Sequence, residues 1–297
     1  MEFALAIDLG AGRMAAGAVD ECGRLHERVS TPTHPDGPGA HDPDEVFGWL
    51  AELVGSLGPF DRYSVCGVGC SGAMSSGGEL VSPPDIPAFR AFPLAERLER
   101  LTGLSCRVDN DAKALALAEG WVGGAVGVPN YLAMVVASEI GGGIVLDGRL
   151  LDGDAGNAGH IGQMVVAEPG RPFPPHVTGT LEAEASGPAI EAHTGHLPEE
   201  ATTAAVAEAG TYVGRAAGSV SNLLDLKLTL VAGSLALGFG EPFFAAAQAE
   251  MDRVCRLDFS RGSRIEPAGC GDEGPLIGAA AVAFRAMGRT IGLVGPR

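Results

Sequence analysis

The sequence predicts an α/β protein of two related lobes. Strands alternate with helices along the chain, a strand, glycine turn and strand pattern occurs twice, and 297 residues suffice for two domains of about 100 to 200 residues each. Residues 3–7 are an apolar strand, broken at Asp8-Leu9-Gly10-Ala11-Gly12 and resumed over residues 14–19, which makes a hairpin. The pattern returns where residues 131–137 are apolar, Ser138-Glu139-Ile140-Gly141-Gly142-Gly143 supplies the turn and residues 144–146 resume. The exits match as well, Gly23-Arg24-Leu25 against Gly148-Arg149-Leu150. This is an internal repeat about 130 residues apart and points to a duplicated lobe with a site between the copies.

The remaining elements follow in order. Residues 44–56 form a helix with Val46, Leu50 and Leu53 on one face, residues 63–69 a buried strand, and Pro83-Pro84-Asp85-Ile86-Pro87 a rigid loop, because proline fixes φ and lacks an N–H. Residues 94–102 are helical up to Gly103, residues 105–108 form a strand, and residues 112–121 form a helix of alanine, leucine, lysine and glutamate. Asp109-Asn110-Asp111 therefore sits at a strand-to-helix junction. Helices are expected over 183–193, 201–224, 243–256 and 276–287, and strands at 228–231 and 264–265. Residues 31–43 read as a loop rich in Pro, Gly, His and Asp. The expected division is a smaller N-terminal lobe at 1–109, a larger lobe at 110–275, and a C-terminal helix at 276–297 packing back on the first lobe.

Composition removes whole classes of function. With 20 basic and 37 acidic residues the formal charge is −17, and such a chain repels a phosphate backbone. No apolar stretch approaches the ~20 residues of a membrane helix, and the N-terminus lacks a basic lead and cleavage-like site. A cytoplasmic protein binding neither nucleic acid nor membrane is expected. The six cysteines, at 22, 66, 70, 106, 255 and 270, contain no CxxC pair, so neither a disulfide framework nor a zinc knuckle is indicated.

Several constellations have both a structural and a chemical reading. A glycine turn between strands is a simple turn, or it lets backbone N–H groups close on a phosphate. Two such turns, and Ala232-Gly233-Ser234 after a third strand, make nucleotide binding an open alternative. Asp109-Asn110-Asp111 is an N-cap cluster worth roughly 1 kcal/mol, or a pair able to bind one hydroxyl and deprotonate another. Asn157-Ala158-Gly159-His160-Ile161-Gly162-Gln163 sets polar side chains between glycines. Glu182 is a first-turn charge complementing a helix dipole, or a ligand.

Taken in order, Asp8-Leu9-Gly10, Gly69-Cys70-Ser71-Gly72, Pro83-Pro84-Asp85, Asp109-Asn110-Asp111-Ala112, Ser138 to Gly143, Asn157 to Gln163 and Leu181-Glu182-Ala183 resemble the ROK family of bacterial sugar kinases and repressors. The resemblance implies an actin-like ATPase (ribonuclease H-like) fold of two lobes with ATP in the cleft between them. It further implies transfer of the γ-phosphate to a hydroxyl, expected at the 6-position, of a hexose or amino sugar such as glucose, N-acetylmannosamine or kanosamine. By this resemblance Asp111 matches the general base, and Gly72, Asp85, Asn110, Asp111, His160, Gln163 and Glu182 match sugar-binding positions. Asp8, Gly10, Gly12, Ser138, Gly141, Gly233 and Ser234 match nucleotide-binding positions, Asp8 also serving Mg²⁺ through the phosphates. A homodimer is common among relatives.

The departures from the family pattern are specific. Members commonly hold a zinc ion with one histidine and three clustered cysteines after the sugar loop. Here Gln163 takes the histidine place and residues 170–181 contain no cysteine, so no zinc is expected, and proline and packing around Pro172-Phe173-Pro174-Pro175 must hold that loop. Ala11-Gly12 stands where glycine and threonine are usual, which removes a hydroxyl near the phosphates. His160 replaces a common glutamate, as also in N-acetylmannosamine kinases of the family, and Asp85 replaces an asparagine. The alternatives are a kinase of a sugar-like cyclitol in secondary metabolism and a catalytically degenerate sugar sensor. A repressor is disfavoured, since its winged helix would have to precede a hairpin that starts at residue 3. The Asn110-Asp111 and Gly159 to Gly162 blocks argue against an acetate kinase-like enzyme.

Overall fold

The computed structural model describes residues 1–10, 12–34, 41–289 and 291, and each of its two units is built on one five-stranded sheet. Met1–Val126, Asp152–Ala158 and Cys270–Leu293 make the first unit; Gly127–Leu151 and Gly159–Gly269 belong to the second. The boundary expected at 109/110 falls inside the first unit. Ala11 and, within the Pro- and Gly-rich stretch at 31–43, residues 35–40 lie outside the described residues.

In the first unit β1 (Phe3–Leu9) and β2 (Arg13–Asp20) form the expected antiparallel hairpin, with Asp8 opposite Ala15. A third strand that the sequence reading leaves out, β3 (Leu25–Pro32), pairs with β2 at the sheet edge. Its exposed His26, Glu27 and Arg28 hide its strand character in the sequence and suit an edge. The helix α1 (Pro43–Gly55) starts where Asp42 accepts the N–H of Asp44 and proline occupies the first turn. It buries Val46, Phe47, Leu50, Leu53 and Val54. At about 1.5–3 kcal/mol for each large apolar side chain, this stripe is what fixes the helix on the sheet.

The chain continues through β4 (Val65–Cys70), a two-stranded ribbon of β5 (Ala73–Met74) and β6 (Val81–Ser82), α2 (Leu94–Thr102), β7 (Cys106–Asn110) and α3 (Asp111–Trp121). β4 and β7 run parallel to β1, so the sheet order is β3-β2-β1-β4-β7. Asp8 lies opposite Gly69, and Gly69 opposite Asp109. The carboxyl ends of three parallel strands therefore open on one edge, the edge where open α/β sheets bind ligands.

The second unit repeats this plan. β8 (Tyr131–Val136), β9 (Ile140–Leu146) and β10 (Arg149–Leu150) are successive antiparallel strands. The turn is shorter than the sequence suggests: Ala137 N–H donates to the Glu139 carbonyl, and Gly141, Gly142 and Gly143 are ladder residues opposite Val135, Met134 and Ala133. The segment 183–193 is likewise two helices, α4 (Leu181–Ala185) and α5 (Gly187–Thr194). Ser186 is extended and caps α5 through the N–H of Ala189, and Pro188 enforces the new start. Then follow α6 (Thr203–Leu224), β11 (Leu228–Ala232), α7 (Ser234–Phe239), α8 (Glu241–Val254) and β12 (Arg264–Pro267). With β11 and β12 parallel to β8, the sheet order is β10-β9-β8-β11-β12.

The chain returns to the first unit as α9 (Gly274–Ala286). Its small residues allow it to pack against β1, β4 and α3, burying Leu276, Ile277, Val282 and Phe284. Among the described residues no helix is long and apolar enough to cross a membrane.

Candidate active site

The first unit gathers its candidates at the carboxyl edge of β1, β4 and β7. Asn110 extends from β7 and caps α3, its Oδ1 accepting the N–H groups of Ala112 at 3.0 Å and Lys113 at 3.4 Å. The structural reading of the cluster thus holds for Asn110, and capping leaves its amide nitrogen, a donor, for other use. Asp111, the first helical residue, accepts the N–H of Ala112 at 2.8 Å. Asp8 is close enough to Asp111 for their charges to interact. Burial, then the Asp111 carboxylate, push the Asp8 pKa up to about 7 against the opposing pull of Arg13 and Arg28.

Gly10 closes the first turn by donating to the carbonyl of Arg13 at 3.1 Å. Thr33, fully buried, braces that turn with its hydroxyl on the Gly10 carbonyl at 2.7 Å and its N–H on that of Gly12 at 3.3 Å. Nothing in the sequence marks Thr33, which reaches the turn from 23 positions away. Gly72 leaves β4 at the same edge, and a Cβ on it would lie 2.7 Å from the Cα of Pro83, so Gly72 and the Pro83-Pro84-Asp85 loop are neighbours. His34 Nε2, 3.3 Å from the Asp85 carbonyl, is a second residue the sequence leaves unmarked.

The second unit assembles its own set around the Gly159 to Gln163 turn. Gly159 has φ 109° and a Cβ there would lie 1.9 Å from the Gly142 carbonyl oxygen. This explains the glycines of β9, which make room for the loop lying on them. Ile161 and Gly162 are buried while His160 and Gln163 flank them exposed. The buried Glu182, second residue of α4, lies against this turn, since a Cβ on Gly162 would meet its Oε2 at 2.4 Å. His160, Gln163 and Glu182 are thereby brought around one turn.

His176, in the loop that follows the sugar turn, lies 3.9 Å from Glu182 Oε1 and stacks on Phe173 with centroids 5.5 Å apart. The zinc-type segment is otherwise held by Arg171, which pairs with the buried Glu184 and with Glu208, and by Phe173 set edge-on to His193. One imidazole and no thiolate in this segment do not fit a tetrahedral zinc ion.

At the carboxyl edge of the second sheet, Ser138 sits exposed in the turn after β8, and Gly141 is already within β9. Gly233, with φ 102°, follows β11 and its Cβ position is 2.2 Å from the Val136 carbonyl oxygen. It therefore lies against Val136 at the end of β8, two residues before Ser138, and Ser234 opens the six-residue α7.

Two sheets of one topology, each with its glycine-lined polar edge, define the actin-like ATPase fold. The structure of a ROK hexokinase from Thermus thermophilus superposes with a TM-score of 0.82 at 28% identity, covering 96% of this chain and 99% of that one. The ROK family model matches residues 4–286, and the chain belongs to the ROK family. It is 30% identical to an N-acetylmannosamine kinase of Yersinia pseudotuberculosis over 93% of this chain and 96% of that protein. It is 36% identical over 189 residues to an N-acetylmannosamine kinase of Citrobacter koseri, a match that spans 63% of each.

Proposed function

We propose that this chain is a cytoplasmic sugar kinase that transfers the γ-phosphoryl group of ATP to a hydroxyl, the 6-hydroxyl first among them, of a hexose or amino sugar. The observation that carries the reading is the Asp111 carboxylate, set beside Asp8 at the N-terminus of α3 next to a helix-capping Asn110. In this reading Asp111 takes the proton of the attacking hydroxyl as that oxygen moves onto phosphorus. Asn110, with its oxygen committed to the helix, donates from its amide nitrogen to a sugar oxygen. Gly72 and Asp85 are proposed for acceptor binding from the first unit, and His160, Gln163 and Glu182 from the second. The names of the relatives, N-acetylmannosamine kinases and a hexokinase, put N-acetylmannosamine and glucose at the head of the acceptors.

On the nucleotide side the proposed groups are the Gly10 and Gly12 turn, Ser138, Gly141, Gly233 and Ser234. Asp8 and Asp111 suit a hard divalent cation, because two carboxylates close enough to repel, one of them raised to about 7, are relieved of their repulsion by it. Among the described residues no group of three or more His, Cys, Asp or Glu could hold a metal ion. Mg²⁺ commonly combines one or two carboxylates with phosphate oxygens and water, which matches so sparse a set. When bound, Mg²⁺ would offset the charge that builds on the phosphates. Asp8 would hold it, and Asp8 must lose its proton to do so.

A coupled ADP-release assay with Mg-ATP and a panel of hexoses, amino sugars and cyclitols tests the reading. Turnover is expected with at least one hexose or amino sugar. Asp111→Asn should lower kcat by roughly 10²- to 10⁴-fold while sugar affinity, measured by titration, stays within about threefold. No ADP release with any compound would make the chain a sugar sensor, and equal turnover by Asp111→Asn would remove the general-base role.

A further inference from the structure

Lys113 is a buried lysine one turn into α3, its side chain 3% exposed. Taking an ammonium out of water costs several kcal/mol unless carboxylates and hydrogen bonds compensate it, so its partners define its task. Its Nζ lies 2.8 Å from Asp109 Oδ1 and 2.8 Å from Asp152 Oδ1, and donates to the carbonyl of Gly156 at 3.1 Å. The same Asp109 oxygen accepts the N–H of Asn110 at 2.8 Å. One end of this cluster is therefore the Asp109-Asn110-Asp111 junction itself.

The other end is the segment Asp152–Ala158, which belongs to the first unit although the chain on both sides of it belongs to the second. The segment closes on itself, Ala158 N–H donating to the Asp152 carbonyl at 3.0 Å. Arg285 of α9 grips the second oxygen of Asp152 at 3.2 Å. Burial works against the Asp152 carboxylate, yet Lys113 and then Arg285 hold its pKa below the ordinary value. At the far end Asn157 pairs both ways with Met74 of β5, accepting its N–H at 3.2 Å and donating to its carbonyl at 3.0 Å. Two residues after Asn157 the chain enters the Gly159 to Gln163 turn.

We infer that Lys113 is a positioning residue that clamps the 152–158 segment to the strand-to-helix junction carrying Asn110 and Asp111, and so fixes the first-unit end of the chain that leads into the Gly159 to Gln163 turn. The inference rests on the sugar-kinase reading. A cavity of about 420 Å³ bounded by Lys113, Asp152, Asp154, Arg285, Arg107 and Ser76 adjoins the clamp. The segment borders this cavity and, once released from Lys113, can move into it. Small misplacements of a binding group are enough to cost large factors in turnover or affinity.

The test uses the full chain with Lys113→Met, Lys113→Arg, Asp152→Asn and the Lys113→Met/Asp152→Asn double variant. Amide hydrogen exchange over 152–158 should rise about tenfold or more in Lys113→Met and Asp152→Asn. The KM for the sugar should rise by about tenfold in both, with the KM for ATP within about twofold. Lys113→Arg, which keeps the charge, should restore part of the sugar KM. Because both changes release one clamp, the double variant should be no worse than the worse single variant. Unchanged exchange in Lys113→Met removes the clamp. Raised exchange with an unmoved sugar KM, a parallel rise in both KM values, or additive effects in the double variant removes the positioning role. If the wild-type chain phosphorylates no sugar, the kinase reading fails, and exchange at 152–158 alone then decides whether the clamp exists.

Discussion

The two units share strand order and strand direction, β3-β2-β1-β4-β7 against β10-β9-β8-β11-β12, yet corresponding strand ends carry opposite chemistry. In the first unit β1 carries Asp8 as its last residue but one, and β7 runs through Asn110 into Asp111. In the second, β8 ends in Val136 before Ser138, β11 runs into Gly233, and β12 ends in Pro267. The same edge of the same scaffold thus offers carboxylates in one unit and backbone with small side chains in the other. A duplicated sheet dictates where a ligand is met, and a handful of residues at strand ends dictates whether a proton or a phosphate is handled there.

The comparison is sharpest at the two glycine turns proposed to face phosphates. A Cβ on Gly233 would collide with the Val136 carbonyl at 2.2 Å, and φ there is 102°, whereas a Cβ on Gly12 meets nothing within 4 Å. Strain and overpacking together should make Gly233→Ala lose about 4 kcal/mol or fail to fold. Gly12→Ala should change stability by no more than about 0.5 kcal/mol. Urea denaturation of both variants measures this, and equal losses would show that the two turns are held alike.

The carboxylates should give the units opposite responses to pH. The folded-state pKa of Asp8 is raised to about 7, so its favourable contribution is full below about pH 4 and is lost as pH climbs through 7. Asp8→Asn should therefore be more stable than wild type at pH 8, by on the order of 3 kcal/mol, while losing most activity. Mg²⁺ should narrow that gap in the wild type by favouring the ionised form, a shift read in melting temperature without any turnover. A variant no more stable than wild type at pH 8 would break the contrast.

In the second unit Glu250 behaves the other way. The Arg253 hydrogen bond first, against the cost of burial, and then Arg215 lower its pKa to about 2, with Nε of each arginine at 2.7 Å from a carboxylate oxygen. Its contribution is present above about pH 4.5 and disappears as pH falls through 2. Allowing for the solvent-exposed Arg253, Glu250→Gln should cost about 2 kcal/mol at pH 7, a difference that vanishes by about pH 2. Acid unfolding followed by exchange in each unit should show the second loosening at a pH where protonated Asp8 favours the first.

What the sequence reveals and conceals follows from range. The paired hairpins are legible because apolar runs and turn glycines are adjacent in the chain, and Asp109-Asn110-Asp111 is legible because cap and acid are neighbours. β3 is obscured by an edge strand's freedom to carry charge. Gly141 to Gly143 read as a turn because nothing local says that Gly159 will lie against them 1.9 Å from where a Cβ would stand. Thr33, His176 and Lys113 escape notice for the same reason: each acts on a group that only folding brings near.

The second unit also has what the first lacks, a long insertion between β10 and β11 that carries the loop at 168–180. Zinc holds this loop in typical members of the family by the resemblance given above, and here Phe173 contacts the rings of both His176 and His193 while Arg171 binds Glu184 and Glu208. Two aromatic contacts of about 0.5–1.5 kcal/mol each, made by a half-buried ring, should make Phe173→Ala cost about 1 kcal/mol in total. The more telling effect is local. His176 is steadied by that ring beside Glu182, so its loss should raise exchange at 170–180 and weaken sugar binding a few-fold, while first-unit exchange stays as it was. Chelator should leave the melting temperature of wild type and variant unchanged in the absence of Mg-ATP. A chelator-induced fall in the wild type would mean that a metal, and not the Phe173 stack, holds the loop.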